Sequence, residues 1–227
     1  MLMLAMDTSA RALSAALFLD GVLVGEHYEN TGLTHSEKLL PVIDTLVAMC
    51  GYAPAQLEAL AVTVGPGSFT GLRIGVATAQ GMGQALGVDI APVPTLAALA
   101  YGGKGFPGLV CPMVDARRSQ VYTAIYEDGR AILPQSAMDI EALLQVVFSH
   151  QKPVYFLGDG IEVHREQIEG KGEMAVLAPQ ALSLQRASWV GAVALEKGIF
   201  LSPAQIEVDY LRPSQAERLL REKQNGI

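Results

Sequence analysis

Small residues recur every four positions in the stretch VTVGPGSFTGLRIGVATAQGMGQALG, which runs from residue 62 to residue 87. Its apolar start predicts the end of a buried strand over 57–64. The GPG that follows interrupts the strand, because glycine allows positive φ and proline lacks an N–H. A helix is then predicted over 70–86, capped by the side-chain oxygen of Ser68 or Thr70. The stretch therefore constrains the chain to a strand, a tight turn and a helix with an unusual surface.

The small residues of this helix share one face and are Gly71, Gly75, Ala79, Gly83 and Gly87. Each glycine costs a helix about 1 kcal/mol relative to alanine. A row of them therefore requires another backbone at close range. That backbone belongs either to a partner or to the core of the chain itself, and the spacing alone leaves both interpretations open.

A strand, a glycine-rich turn and a helix can also bind phosphate through backbone N–H groups. The known motifs do not match, however. Gly65 and Gly71 are separated by five residues and Leu-Arg follows, whereas a Walker loop requires four residues and then Lys-Ser/Thr. Thr70 stands where the dinucleotide fingerprint requires its third glycine, and no GxSxG nucleophile motif surrounds Ser68. A structural use of the glycines is favoured.

Composition excludes several classes of protein. Apolar residues make up 50% and charged residues 17% of the 227 positions, which is typical of a compact folded chain rather than a disordered one. No apolar run reaches the length of about 18 residues that a membrane span requires. The net charge of −7 argues against direct RNA binding by this chain alone. Cys50 and Cys111 are isolated, so we expect reduced thiols and a cytoplasmic location.

The pattern of strands and turns repeats after 108 residues. A strand, a turn and a strand occur in both halves, and the matching pairs are Asp7 and Asp115, Ala16 and Ala124, Asp20 and Asp128, and Gly21 and Gly129. These pairs superpose without a gap, which suggests a duplicated domain. Because residues 102–108 read as a linker, we predict an N-terminal lobe over 1–103 and a C-terminal lobe over 109–227.

The motifs GPGSFTGLRIGVATAQG, MDTS, HSEKLLP and YLRP-SQAE together resemble the bacterial TsaB (YeaZ) family. This resemblance covers nearly the whole chain. It implies an α/β, two-lobed actin-like ATPase fold made from a duplicated βββαβα-type domain. It also implies a non-catalytic scaffold that binds a TsaD-type transferase and supports threonylcarbamoyl transfer to a tRNA adenosine next to the anticodon. A TsaE-type ATPase joins that complex, and tRNA is reached only through the complex.

One nucleotide site is suggested by the actin-like resemblance. Asp7, Thr8 and Ser9 occupy the place where an acidic residue and small hydroxyl residues face phosphate and metal in such ATPases. The same residues also favour an ordinary turn. We expect no cofactor, with weak ATP or ADP binding left open. The alternative function is a stand-alone kinase or ATPase, in which Asp7 binds metal-nucleotide and Asp115 is the base.

No metal site and no catalytic residue are predicted. The catalytic paralogue TsaD carries a metal-binding HxxxH, and the two positions that match it in this sequence are Thr95 and Leu99. Leucine cannot ligate a metal. The candidate nucleophiles Ser68 and Cys50 have no base nearby in the sequence, so a peptidase is also disfavoured.

The family resemblance places the partner contact on the helices over 34–50 and 70–86, packed as a four-helix bundle. The residues predicted for that interface are Leu39, Ile43, Leu46, Val47, Gly71, Leu72, Gly75, Val76, Ala79 and Gly83. Without the partner, the exposed apolar surface is expected to drive formation of a homodimer. The alternative is that both helices simply cover their own sheet.

Overall fold

The computed structural model describes residues 1–32 and 34–211 and contains two five-stranded sheets. In the first sheet, the strand order is β3-β2-β1-β4-β5, with β1 antiparallel to β2 and parallel to β4. Its strands are β1 Leu2–Asp7, β2 Leu13–Leu19, β3 Val22–Glu29, β4 Ala59–Gly65 and β5 Asp89–Pro94. Because β1 and β4 are parallel, the loops that follow Asp7 and Gly65 leave the same edge of the sheet.

The second sheet repeats this topology, with the order β8-β7-β6-β9-β10. Its strands are β6 Leu109–Asp115, β7 Gln120–Glu127, β8 Arg130–Asp139, β9 Val154–Leu157 and β10 Ala175–Leu177. As in the first sheet, the first strand is antiparallel to the second and parallel to the fourth. The predicted two-lobed α/β fold from a duplicated domain is confirmed.

The two copies match closely at one turn but not throughout the hairpin. Asp20 and Asp128 both have φ of 49°, and each is followed by a left-handed glycine. The strand register differs, however, because Leu2 pairs with Leu19 in the first copy and Val110 pairs with Tyr126 in the second. If the two copies superposed without a gap, Val110 would pair with Glu127, which lies 108 residues after Leu19. The ungapped superposition is therefore wrong by one residue between β6 and β7.

Helices cover both faces of each sheet. The helices are α1 His35–Met49, α2 Phe69–Leu86, α3 Thr95–Tyr101, α4 Ile140–Ser149, α5 Gly160–Glu169 and α6 Ala187–Lys197. On the first sheet, α1 and α2 bury one face, and α6 with α3 buries the other. Within the described residues, no helix is both long and apolar enough to cross a membrane.

The C-terminal part of the chain returns to the first lobe. Helix α6 packs against β1 and β2, and Leu201 exchanges backbone hydrogen bonds of 2.9 Å with Ile90 beyond it. The segment 198–211, which we call the strap, then follows α2 towards its N-terminus. The predicted C-terminal lobe of 109–227 therefore differs from the structure, in which the second sheet ends before α6 begins. The part of the YLRP-SQAE motif beyond Leu211 lies outside the described residues.

Candidate functional site in the cleft between the lobes

The glycines of α2 allow the helix to lie directly on the loop that follows β1. In the turn just before α2, a Cβ added to Gly67 would lie 2.5 Å from the carbonyl oxygen of Ser9. At Gly71 and Gly75 the added atom would come still closer to Thr8, to its carbonyl oxygen and its Oγ1 respectively. The N–H of Ser68 also donates to the Ser9 carbonyl at 2.7 Å. The first part of the glycine row therefore serves the packing of this lobe.

The strap explains the other end of the row. A Cβ on Gly83 would meet Pro203 Cγ at 2.9 Å and Ile90 Cδ1 at 3.1 Å. Beside it, the Gln80 amide donates to the carbonyl oxygens of Pro203 and Ile206 at 3.1 and 3.0 Å. Glycine at position 83 thus lets the strap cross α2 at close range.

The residues predicted for the partner interface lie inside the first lobe instead. All ten are buried, as the structure shows for Leu39, Ile43, Leu46, Val47, Gly71, Leu72, Gly75, Val76, Ala79 and Gly83. Most of their side chains belong to the hydrophobic core formed with β1, β2 and β4. The prediction therefore named the inward face of each helix, because an apolar face that covers its own sheet has the same periodicity as one that covers a partner.

The outward faces of the same helices are different residues. On α1, Leu40 is 55% exposed and Met49 is 82% exposed. On α2, a second row of small residues four apart is exposed and consists of Ala77, Gly81 and Ala85. A Cβ added to Gly81 would meet nothing within 4 Å. These faces remain available to another molecule.

The loop Asp7-Thr8-Ser9 is closed. The relative exposures of Asp7, Thr8 and Ser9 are 0%, 1% and 0%. The Ser9 N–H and hydroxyl donate to Asp7 Oδ1 at 2.9 and 3.0 Å, and the Thr8 hydroxyl donates to the Gly71 carbonyl at 2.7 Å. Burial raises the pKa of the Asp7 carboxyl above its usual value.

These three residues do not fit the phosphate and metal end of a nucleotide. Each polar side chain already has a partner within the lobe, and α2 lies over the loop. A carboxylate that is to hold a metal ion must present an oxygen to it. We therefore derive no nucleotide-dependent step from Asp7.

The matching loop of the second lobe is more open. Asp115 is half-buried, its N–H donates to Asp159 Oδ1 at 3.0 Å, and its Oδ1 accepts the Arg117 N–H at 2.8 Å. Burial raises the pKa of Asp159. Arg117, Arg118 and Ser119 all have positive φ, at 63°, 55° and 59°. Such a run of left-handed residues other than glycine is uncommon.

The two loops and the N-terminus of α2 surround one cleft between the lobes. Its volume is about 920 Å³, and its walls include Ser9, Arg11, Ser68, Asp115 and Asp159. Arg11 of the first lobe pairs with Glu162 of the second at 2.8 Å. Ser68 is the N-cap of α2 and accepts from the Gly71 N–H at 3.2 Å, as one of the two predicted caps. Its oxygen is therefore engaged in helix capping.

The positions predicted to have lost a metal site are in the interior. Thr95 and Leu99 lie one turn apart on α3, and both are fully buried. Across residues 1–32 and 34–211, no three side chains of His, Cys, Asp or Glu come together as metal ligands. Burial also raises the pKa of the Cys111 thiol to about 12, which disfavours the thiolate form that a nucleophile requires.

Sequence reasoning missed one group of side chains at the cleft. Phe69 and Tyr210 stack with their ring centroids 4.9 Å apart, and Arg73 lies 3.9 Å above the Phe69 ring. Arg73 Nε also donates to the Tyr210 hydroxyl at 2.9 Å. Tyr210 opens the YLRP motif, but the sequence gives no sign that this motif returns to α2.

Comparisons with known proteins agree with the sequence motifs. A family model described as TsaD, tRNA N6-adenosine threonylcarbamoyltransferase, matches residues 27–214. The Bacillus subtilis tRNA threonylcarbamoyladenosine biosynthesis protein TsaB is 33% identical over 222 residues, which are 96% of each protein. The solved structure of YeaZ from Pseudomonas aeruginosa is 28% identical, with a TM-score of 0.73 over 92% of this chain and 99% of that one.

A more distant structure supports the fold alone. Component A of the (R)-2-hydroxyglutaryl-CoA dehydratase of Acidaminococcus fermentans has a TM-score of 0.54 at 12% identity, over 87% of this chain and 98% of its own. That similarity agrees with the actin-like ATPase fold expected from the duplicated lobes. The family model and the Bacillus subtilis TsaB each match most of the length of this chain. The chain therefore belongs to the TsaB (YeaZ) family.

Proposed function

We propose that this protein is the non-catalytic subunit that binds a TsaD-type transferase and supports threonylcarbamoyl transfer to a tRNA adenosine next to the anticodon. The observation that carries the proposal is the similarity to TsaB of Bacillus subtilis across 96% of both chains. The name of that relative assigns it to tRNA threonylcarbamoyladenosine biosynthesis. A TsaE-type ATPase is the expected third member of the complex, and the transferase is expected to hold the tRNA.

Two features of the buried interior favour a non-catalytic role. The acidic residue that an actin-like ATPase would use, Asp7, is fully buried and bonded to Ser9. The two positions that align with the paralogue's metal ligands are the buried Thr95 and Leu99. The chain thus keeps the fold of an ATPase, whereas the positions that would bind metal or nucleotide in a catalytic relative are buried in its packed interior.

The outward faces of α1 and α2 are the surface that we propose for the transferase. Leu40 and Met49 supply exposed apolar area on α1, and Ala77, Gly81 and Ala85 leave room on α2 for another helix to approach. Small residues four apart allow helix axes to come closer than the usual 8–10 Å. In the absence of the transferase, two copies of the chain are expected to pair through the same faces as a homodimer.

The test is reconstitution with a purified TsaD-type protein and a TsaE-type ATPase. The wild-type chain should form a complex with the transferase and support modification of unmodified tRNA. Gly81→Leu should weaken the complex by at least about tenfold, because a large side chain would separate the two helices. Ala142→Leu makes a similar change at an exposed position of α4 and should leave the complex intact.

Two results would contradict the proposal. The first is full tRNA modification in the absence of this chain. The second is ATP turnover or small-molecule phosphorylation by the chain alone, which would favour the stand-alone enzyme. If Gly81→Leu binds the transferase as the wild type does, the function stands but the proposed surface is wrong.

A further inference from the structure

The described part of the chain ends beside the outward face of α2. The exposed row on that face extends to the N-terminus of the helix, and its members, four positions apart, are Phe69, Arg73, Ala77, Gly81 and Ala85. Tyr210 of the strap stacks on Phe69 with the ring centroids 4.9 Å apart, and its hydroxyl accepts a hydrogen bond from Arg73 Nε at 2.9 Å. Residues 212–227, which we call the tail, therefore begin at one end of this row.

The sequence of the tail, RPSQAERLLREKQNGI, combines a small apolar set with positive charge. Ala216, Leu219 and Leu220 recur three and four positions apart, a spacing typical of an amphipathic helix. Ser214 and Glu217 have the spacing of a capping box. The tail has four basic and two acidic side chains, whereas the whole chain has a net charge of −7. Such a segment is suited to an apolar surface with acidic groups beside it.

The outward faces of α1 and α2 form a surface of this kind. Glu37 and Asp44 are exposed on α1, on either side of the exposed Leu40. Among the described residues, neither carboxylate forms an ion pair. Helix α2 carries one charged residue, Arg73, and the rest of its outward row is small and uncharged. The surface and the tail are therefore complementary in charge and in polarity.

The tail is long enough to follow the row. At 1.5 Å per residue, the distance along α2 from Phe69 to Gly81 is about 18 Å. A segment of the length of the tail spans about 24 Å as a helix and roughly twice that when extended. Its attachment beside Phe69 also gives it an effective concentration at this surface on the order of millimolar. Weak docking contacts are then sufficient to keep it in place.

We propose that the tail docks on the outward faces of α1 and α2, with Leu219 and Leu220 against the small residues around Gly81. The tail then competes with the transferase, and with a second copy of the chain, for one surface. The docking concerns the chain alone, whereas the competition rests on the proposed function.

Disulfide trapping in the full chain tests the docking. Ala77→Cys and Ala216→Cys are combined with Cys50→Ser, which leaves Cys111 as the only native cysteine, and that residue is buried. At low protein concentration, an intramolecular disulfide should form at least about tenfold faster than in a control that pairs Ala216→Cys with Ala142→Cys, an exposed position on α4 of the other lobe.

A second comparison separates docking from simple tethering. Leu219→Asn with Leu220→Asn removes the apolar side chains without adding charge, and should slow the trapping at Ala77 by about fivefold. Gln215→Asn with Gln224→Asn is the matched control within the tail and should leave the rate unchanged. The thermal unfolding midpoint of each variant verifies that the lobes are folded.

The affinity for a purified TsaD-type transferase tests the competition. If the tail covers the surface in about nine of ten molecules, it weakens the apparent affinity about tenfold. Leu219→Asn with Leu220→Asn should therefore strengthen transferase binding by roughly five- to tenfold, and the glutamine control should not.

The docking is refuted if trapping at Ala77 is no faster than at Ala142, or if the leucine variants do not slow it. A disulfide that joins two chains instead would place a second copy on this surface and would also refute it. Trapping that depends on the leucines, together with an unchanged affinity for the transferase, would refute the competition and leave the proposed function intact. A chain that shows the trapping but forms no complex with the transferase would contradict the proposed function and not the docking.

Discussion

The two faces of α2 carry nearly the same pattern of residues and have different surroundings. The inward face has small residues four apart at Gly71, Gly75, Ala79 and Gly83, and the outward face has them at Ala77, Gly81 and Ala85. On the inward face, the loop after β1 and the strap occupy the space that a side chain would need. On the outward face, a Cβ on Gly81 would meet no atom within 4 Å. A row of small residues on a helix therefore does not by itself show that another segment packs closely against it. The atoms that surround the row must be known as well.

The difference also separates two uses of the same helix. The inward glycines set the distance between α2 and Thr8, and the core of the first lobe depends on that distance. The outward row contributes nothing to this core, so its glycine, Gly81, costs the helix about 1 kcal/mol relative to alanine without a return inside the chain. That cost is what makes the outward face a candidate for contact with another protein.

The largest expected effect comes from enlarging the inward face. Gly75→Leu places a branched side chain where Thr8 Oγ1 and Val62 Cγ2 already lie, the latter at 3.5 Å from an added Cβ. The gain in helix propensity is below about 1 kcal/mol, whereas overpacking of a core costs about 1–3 kcal/mol and more where backbone must move. We expect a loss of about 3 kcal/mol in the free energy of unfolding, measured by chemical denaturation.

Gly81→Leu is the matched control for this variant. It makes the same substitution on the outward face of the same helix, and its unfolding free energy should remain within about 0.5 kcal/mol of the wild type or improve. The comparison would be overturned if Gly75→Leu unfolded like the wild type while losing its partner. That result would restore the interface predicted from the inward residues.

A smaller effect is expected where α2 begins. The Ser68 hydroxyl oxygen accepts from the Gly71 N–H at 3.2 Å, so Ser68→Ala leaves that N–H without its cap. Loss of an N-cap typically costs about 1 kcal/mol, and the Ser68 N–H to Ser9 bond is retained because it comes from the backbone. Thr70→Ala is the control, since Thr70 is exposed and within the first turn. Equal unfolding free energies for the two variants would show that Ser68 does not cap the helix.

Much of the first lobe could be predicted from local patterns. The strand over 57–64 is observed at Ala59–Gly65, and the helix over 70–86 at Phe69–Leu86. Apolar runs, glycine and the capping hydroxyl act within a few residues of one another, so the sequence shows them together. The turn after β2 was predictable for the same reason, because Asp-Gly favours the left-handed conformation that it adopts.

Contacts between distant parts of the chain could not be predicted. The strap contacts α2 through Gln80 of the helix and through its own Tyr210. Nothing in the sequence of the helix or of the strap indicates that the two segments meet. The periodicity of α1 and α2 correctly identified one apolar face on each helix, but it does not say what that face covers. The burial of Asp7 beneath Ser9 and α2 likewise depends on the packing of the whole lobe. The sequence of the Asp7-Thr8-Ser9 turn is equally compatible with a site that is open to a ligand.

The smallest change tests the comparison most directly, since a single methyl group should have opposite effects on the two faces. Gly81→Ala adds a Cβ in open space and removes the helix penalty of glycine, so the unfolding free energy should rise by about 0.5–1 kcal/mol. Gly75→Ala gains the same propensity, but its Cβ displaces Thr8 Oγ1, which donates to the Gly71 carbonyl at 2.7 Å. Leaving that buried group unpaired costs about 1–3 kcal/mol, which exceeds the gain in helix propensity, so this variant should be less stable than the wild type. Denaturant titrations of the two variants side by side should therefore move in opposite directions. A shift of both in the same direction would mean that the two faces of α2 are not as different as the packing of Thr8 indicates.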